Sequence, residues 1–157
     1  MIPFFLCGIL GFTFPIFFWG GHSIIKELKL YTTLRLLFLI FVAKFLFSII
    51  SFGSGAPGGI FFPLLIIGGT FGAVFGYIAI NYLGISPELF NNFIILSMAG
   101  YFTAIVRAPI TGIILITEMT GSFTHLLSLT IVSIIAYIVA DLLKSAPIYD
   151  SLLENLL

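Results

Sequence analysis

Charge is what this sequence has least of. Only 8% of its 157 residues are Asp, Glu, Lys or Arg, six basic and six acidic. A soluble domain carries about a quarter charged residues. With 61% hydrophobic residues, this chain cannot clothe a water-facing surface, and it reads as an integral membrane protein. Net charge is zero, and no basic run offers a footprint for nucleic acid. Cysteine is nearly absent too. Cys7 stands alone, which excludes an internal disulfide and a thiolate metal site. Histidine is confined to His22 and His125, with no His-Glu-x-x-His spacing. There is no nucleophile elbow and no Gly-Lys-Ser/Thr phosphate loop, so an enzyme has no motif to stand on. Met1 to Phe18 has neither a basic leader nor a small-residue cleavage site, which argues against a signal peptide. The Pro3 and Pro15 context reads as the interior of a longer protein.

What is present is a series of apolar helices with breaks between them. Residues 4–19 form a run short of the roughly 20 residues a span needs. Gly20-Gly21-His22 interrupts it, and Ser23 to Lys29 reads as a short helix near water. His22 is either a proton carrier or a solvated loop histidine, and the loop reading is taken. Thr33 to Phe52 reads as a helix with Arg35 near its start. Lys44 lies deeper, either as a functional group or as a cation that snorkels or pairs, and the latter is taken.

A helix from about Gly59 to Tyr82 carries Gly68, Gly72 and Gly76 at every fourth position, with Gly69 and Ala73 beside them. That spacing puts small residues on one face, where two helix backbones can approach closely. The face serves either a dimer contact or internal packing; internal packing is the reading taken. Asn81 to Asn92 reads as a polar interruption, and Ser86-Pro87-Glu88 as a capped helix start. The next helix runs to about Ile105. Arg107-Ala108-Pro109 breaks it, and a second piece covers Pro109 to Thr120. Paired short segments of this kind point to transporter architecture. Glu118 is either a proton relay or a structural carboxylate that caps a helix or pairs with Arg107 or Lys44; the structural role is taken. Phe123 to Leu143 is a full span, and Ser145-Ala146-Pro147 opens a last helix, Ile148 to Leu157.

The most informative break is Gly53-Ser54-Gly55-Ala56-Pro57-Gly58-Gly59-Ile60-Phe61-Phe62-Pro63. Non-helical backbone at membrane depth is tolerated where it is buried in protein or lines a cavity. Its Gly-x-Gly-x-x-Gly matches the dinucleotide fingerprint only literally: no strand precedes it, and no acid follows about 20 residues on. What it can do is bind an anion. The first N–H groups of a helix lack intrahelical partners. The macrodipole adds roughly half a positive charge there. Gly58 and Gly59 leave the backbone open to close approach, and Pro63 suits a first turn. No basic residue lies between Gly59 and Leu64, so binding stays weak enough for release, as conduction requires. A tyrosine hydroxyl could add a neutral donor.

This stretch, with Gly-x-Phe-x-Pro at 59–63, resembles an anion-site signature of the CLC family of chloride channels and chloride–proton antiporters. Arg107-Ala108-Pro109-Ile110-Thr111-Gly112 with Glu118-Met119-Thr120 is similar to that family's next block, and Ala146-Pro147-Ile148-Tyr149 resembles the segment bearing its anion-coordinating tyrosine. Gly20-Gly21 after Pro15 also fits.

The resemblance implies an all-α integral membrane fold with tilted and broken helices, one half of an inverted repeat. It implies chloride transport, by conduction or by exchange with protons, in a homodimeric parent. The anion would meet Gly59 and the N–H groups of Ile60 and Phe61, with the Tyr149 hydroxyl donating from elsewhere. Chloride is then cargo, and no cofactor is expected. The family's Gly-Ser-Gly-Ile-Pro and Gly-Arg-Glu-Gly-Pro signatures do not occur, so residues 1–157 are expected to be the C-terminal half of the membrane domain, completed by an N-terminal half. Compact loops and the lack of a regulatory tail suggest a bacterial inner membrane. The alternatives are a structural or assembly subunit without transport of its own, and a membrane enzyme, whose polar cluster the spacing does not supply. On side-chain character alone, Phe61 is one lipid-facing phenylalanine of 19 and Tyr149 an interfacial aromatic.

Overall fold

The computed structural model describes residues 33–53 and 61–154. The expectations for residues 4–29, for Gly59 and Ile60 and for 155–157 lie outside them. All the described secondary structure is helical. Helix α1 is Leu34–Gly53, α2 Phe61–Leu83, α3 Phe90–Val106, α4 Pro109–Thr120, α5 Leu126–Leu142 and α6 Ile148–Glu154. Short 3-10 turns, Pro87–Leu89 and Phe123–His125, lead into α3 and α5. Among the described residues, Phe61–Leu83, Pro87–Val106 and Phe123–Leu142 are long and apolar enough to cross a membrane. Helix α4, at 12 residues, is too short to span. The chain is an all-helical membrane protein with a broken helix, as the sequence implied.

Helices α2 and α3 form the centre. They run antiparallel, since Gly68 faces Met98 and Tyr101 while Gly76 faces Phe90 and Phe93. A methyl group on Gly72 would stand 2.6 Å from the Phe93 carbonyl oxygen and 2.9 Å from the Ile94 Cα. The glycine face of α2 is therefore spent on α3, which is the internal packing expected. Around this seam lies a core of Leu64, Leu65, Ala73, Ile94, Met98, Ala99, Phe102 and Ile116, closed by Leu37 of α1 and Leu129 of α5.

Some polar residues in these apolar helices are satisfied within their own helix, whereas the fully buried Thr103 and Ser133 hydroxyls have no protein partner among the described residues. The Thr70 hydroxyl donates to the Ile66 carbonyl and lies as close to that of Ile67, both at 3.0 Å. Thr117 donates to the Ile113 carbonyl at 2.7 Å. Such local bonds let hydroxyls sit in an apolar setting at small cost. Helix α1 buries Leu37, Ile40, Lys44 and Ser48, one stripe at helical spacing. Lys44 is partnered there, and Phe41 meets Phe71 of α2 at 5.8 Å between ring centroids.

Two expectations need correction. The polar interruption is far shorter than Asn81 to Asn92. Asn81 stays helical, its amide donating to the Tyr77 carbonyl at 2.9 Å, and the link is Gly84 to Ser86, turned by Gly84 at φ 70°. Ser86 precedes Pro87 but makes no side-chain cap; the backbone opens with a 3-10 turn, and α3 starts at Phe90.

Candidate anion site and the Arg107 junction

Helix α2 brings Phe61 to its first turn, which contains no acid. An acid there would repel an anion, while the unpaired N–H groups and the dipole attract one. Phe61 is half-buried. Its ring meets Phe102 of α3 edge-on at 5.4 Å and Phe62 at 5.5 Å. Edge-to-face contacts of this kind add about 0.5–1.5 kcal/mol beyond burial. Phe61 is therefore an anchor of the α2 start against α3, which corrects the view of it as one more lipid-facing ring. Gly59 and Ile60 precede it, outside the described residues.

Tyr149 lies in the second position of α6 and is 58% exposed. Helix α6 touches α3. Helices α3 and α5 run parallel, because Gly100 faces Val132 and Ala136 while Arg107 reaches Tyr137 and Ala140. The start of α2, the end of α3, the end of α5 and the start of α6 therefore gather at one end of the bundle. Arg107 follows Phe102 by five residues, about 7.5 Å of helix. Phe61 thus borders the C-terminal part of α3, and α6, which carries Tyr149, leaves from the corner that Arg107 holds.

Arg107, which the sequence offered as part of a break and as one possible partner of Glu118, is the residue that ties this end together. Its backbone is left-handed, φ 64° and ψ 28°, and its N–H donates to the Thr103 carbonyl at 2.9 Å, closing α3. That conformation costs a non-glycine residue about 1–2 kcal/mol. The guanidinium donates to the carbonyl oxygens of Tyr137 at 3.2 Å, Ala140 and Ser145 at 2.7 Å. It lies 3.7 Å from the Asp141 carboxylate and 5.7 Å from the Tyr137 ring centroid.

The Tyr137 and Ala140 carbonyls belong to the last turns of α5, at its negative end where a cation is favoured, and Ser145 lies just beyond the helix. A planar fork can serve several at once; a lysine cannot. Its carboxylate partner is Asp141, not Glu118, which is exposed on α4. Beyond it, α5 ends in a Schellman turn. Lys144 is left-handed at φ 51°, its N–H donates to the Asp141 carbonyl at 2.9 Å, and the Ser145 N–H donates to the Ala140 carbonyl at 3.3 Å. The only sequence signal for the junction was an arginine placed directly before Ala108-Pro109 in an apolar chain; its acceptors are backbone groups, which leave no mark in side-chain pattern.

Taken together, long apolar helices, a broken helix and a partly buried cation laid over a helix end mark an all-helical integral membrane protein. Comparison with known proteins gives the family. The family model described as voltage gated chloride channel matches residues 1–141. The chain is 46% identical over 125 residues to the H(+)/Cl(-) exchange transporter ClcA of Vibrio cholerae, covering 78% of this chain and 26% of that protein. It is 41% identical over 154 residues to the protein of that name in Vibrio campbellii, covering 96% of this chain and 32% of the relative. The chain belongs to the CLC family of chloride channels and antiporters. It spans between a quarter and a third of the length of these relatives.

Proposed function

We propose that this chain forms part of the anion pathway of a chloride-transporting CLC protein, working by conduction or by chloride–proton exchange in a bacterial inner membrane. The observation that carries this reading is the family match over residues 1–141, with relatives named as H(+)/Cl(-) exchange transporters. Chloride meets the backbone N–H groups at Gly59, Ile60 and Phe61, ahead of and at the start of α2. The Tyr149 hydroxyl donates to it from α6. These donors carry partial charges only, which suits an ion that must leave as readily as it enters.

The chain supplies the C-terminal half of the membrane domain. An N-terminal half completes the site, and the parent assembles as a homodimer. The same relatives, named as exchange transporters, support a role in transport over chemical conversion.

The test is chloride titration calorimetry on the full-length protein. Tyr149→Ala removes one hydroxyl donor, so chloride affinity falls about tenfold, the worth of one hydrogen bond to an ion. Unchanged affinity and selectivity would remove Tyr149 from the site. Reconstitution tests the wider reading. A chain that carries no anion across vesicles, even alongside a complementary half, would be an assembly subunit instead.

A further inference from the structure

The α3–α4 break and the α5–α6 corner are 38 residues apart in sequence, yet one side chain joins them. Among the described residues, positive φ on a non-glycine residue occurs at two positions, Arg107 and Lys144, the second of them next to the Ser145 carbonyl that Arg107 holds. Strained backbone of this kind persists where surrounding contacts over-determine it, and it clusters where position matters to function. Here the over-determining contacts come from the Arg107 guanidinium. Its two Nη groups are spent on the carbonyls of Tyr137, Ala140 and Ser145 and on Asp141, while its Nε is buried without a hydrogen-bond partner among the described residues. What it fixes is the corner from which α6 leaves.

Tyr149 depends on that corner. It follows Ser145 by four residues. At 58% exposed its side chain is not locked by packing, and α6 has only seven residues. We propose that Arg107 is a positioning residue for Tyr149: by holding the Ser145 carbonyl to the end of α3, it sets where the Tyr149 hydroxyl stands relative to the start of α2. This rests on the reading of Tyr149 as a chloride donor. A lysine at 107 keeps the charge but presents a single ammonium to carbonyls spread over two chain segments, and so cannot hold the corner as the fork does.

The experiment uses the full-length protein carrying 3-fluorotyrosine at position 149, read by fluorine NMR, with chloride calorimetry on the same variants. In Arg107→Lys and Arg107→Gln the fluorine line at 149 shifts or splits. Chloride Kd rises about tenfold, as for loss of one donor, and Arg107→Lys combined with Tyr149→Phe binds no more weakly than Tyr149→Phe alone. An unmoved fluorine line in Arg107→Lys overturns the proposal, and that variant serves if Arg107→Gln does not fold. A moved line with a Kd that rises for Tyr149→Phe but not for Arg107→Lys overturns the link from corner to anion. A moved line with Kd unchanged in every variant, Tyr149→Phe included, upholds the positioning and overturns instead the role of Tyr149 as a donor.

Discussion

Helix α3 is held by its two main neighbours in different ways. Against α2 it is held by the absence of side chains: Gly68, Gly72 and Gly76 let backbone approach backbone. Against α5 it is held at its end by the most polar side chain a helix can offer, Arg107, laid over carbonyls. The exposure of the two neighbours follows. In the apolar window of α2, 56% of residues are buried; in that of α5, 17%. Lipid tails are as apolar as leucine, so apolar area alone does not drive helices together in a membrane. Close packing and polar bonds are what remain: the α2 side of α3 relies on packing, and the α5 side adds the Arg107 bonds to a Gly100–Val132 contact. The consequence for the candidate site is a division of labour. The start of α2 is fixed by packing, through Phe61 on Phe102, whereas the corner before Tyr149 is fixed by hydrogen bonds.

The comparison breaks most visibly at Gly72. Gly72→Val puts atoms into the Phe93 carbonyl and the Ile94 Cα, which cannot swing away. The expected cost is about 3 kcal/mol or more, read as loss of the monodisperse folded species and a lower thermal transition in detergent. Gly76→Ala sharpens the same side. The added methyl meets Phe90 and Phe93 side-chain atoms at 3.2–3.3 Å, and rings can yield by a few tenths of an ångström. We expect about 1 kcal/mol or less, with a wild-type elution profile. If both variants behave alike, backbone contact is not what makes the seam. The smallest effect belongs to the polar side. Lys144→Gly relieves a left-handed lysine at the Schellman turn and should raise stability by about 0.5–1 kcal/mol. A clear loss of stability there would show that the lysine side chain itself holds the corner.

Much of this architecture was legible because it is written in small and breaking residues. The fourfold glycine spacing located the buried face of α2, and Arg107-Ala108-Pro109 marked the α3–α4 break within a residue. Proline and glycine act through local backbone, which one sequence displays directly. The misses came where backbone satisfied a polar group. Asn81 looked like the start of a loop but is content inside α2, its amide on the Tyr77 carbonyl. Ser86 looked like a side-chain cap and is not one. Arg107 looked free to meet Glu118, but carbonyls of a distant helix take it first. At the candidate site, the sequence indicated the helix start and the tyrosine. It could not indicate that Phe61 anchors on Phe102 or that Arg107 holds the corner before α6, since those depend on how α2, α3 and α5 align.

The central claim is that backbone N–H groups at the start of α2 hold the anion. Chloride calorimetry on the full-length protein, comparing Ile60→Pro with Phe61→Leu, tests it most directly. Ile60→Pro deletes one donor N–H, whereas Phe61→Leu keeps every backbone donor and changes only the anchor. The account predicts that Ile60→Pro weakens chloride binding about tenfold, while Phe61→Leu leaves binding largely intact and alters transport rate. Normal chloride binding by Ile60→Pro would contradict it.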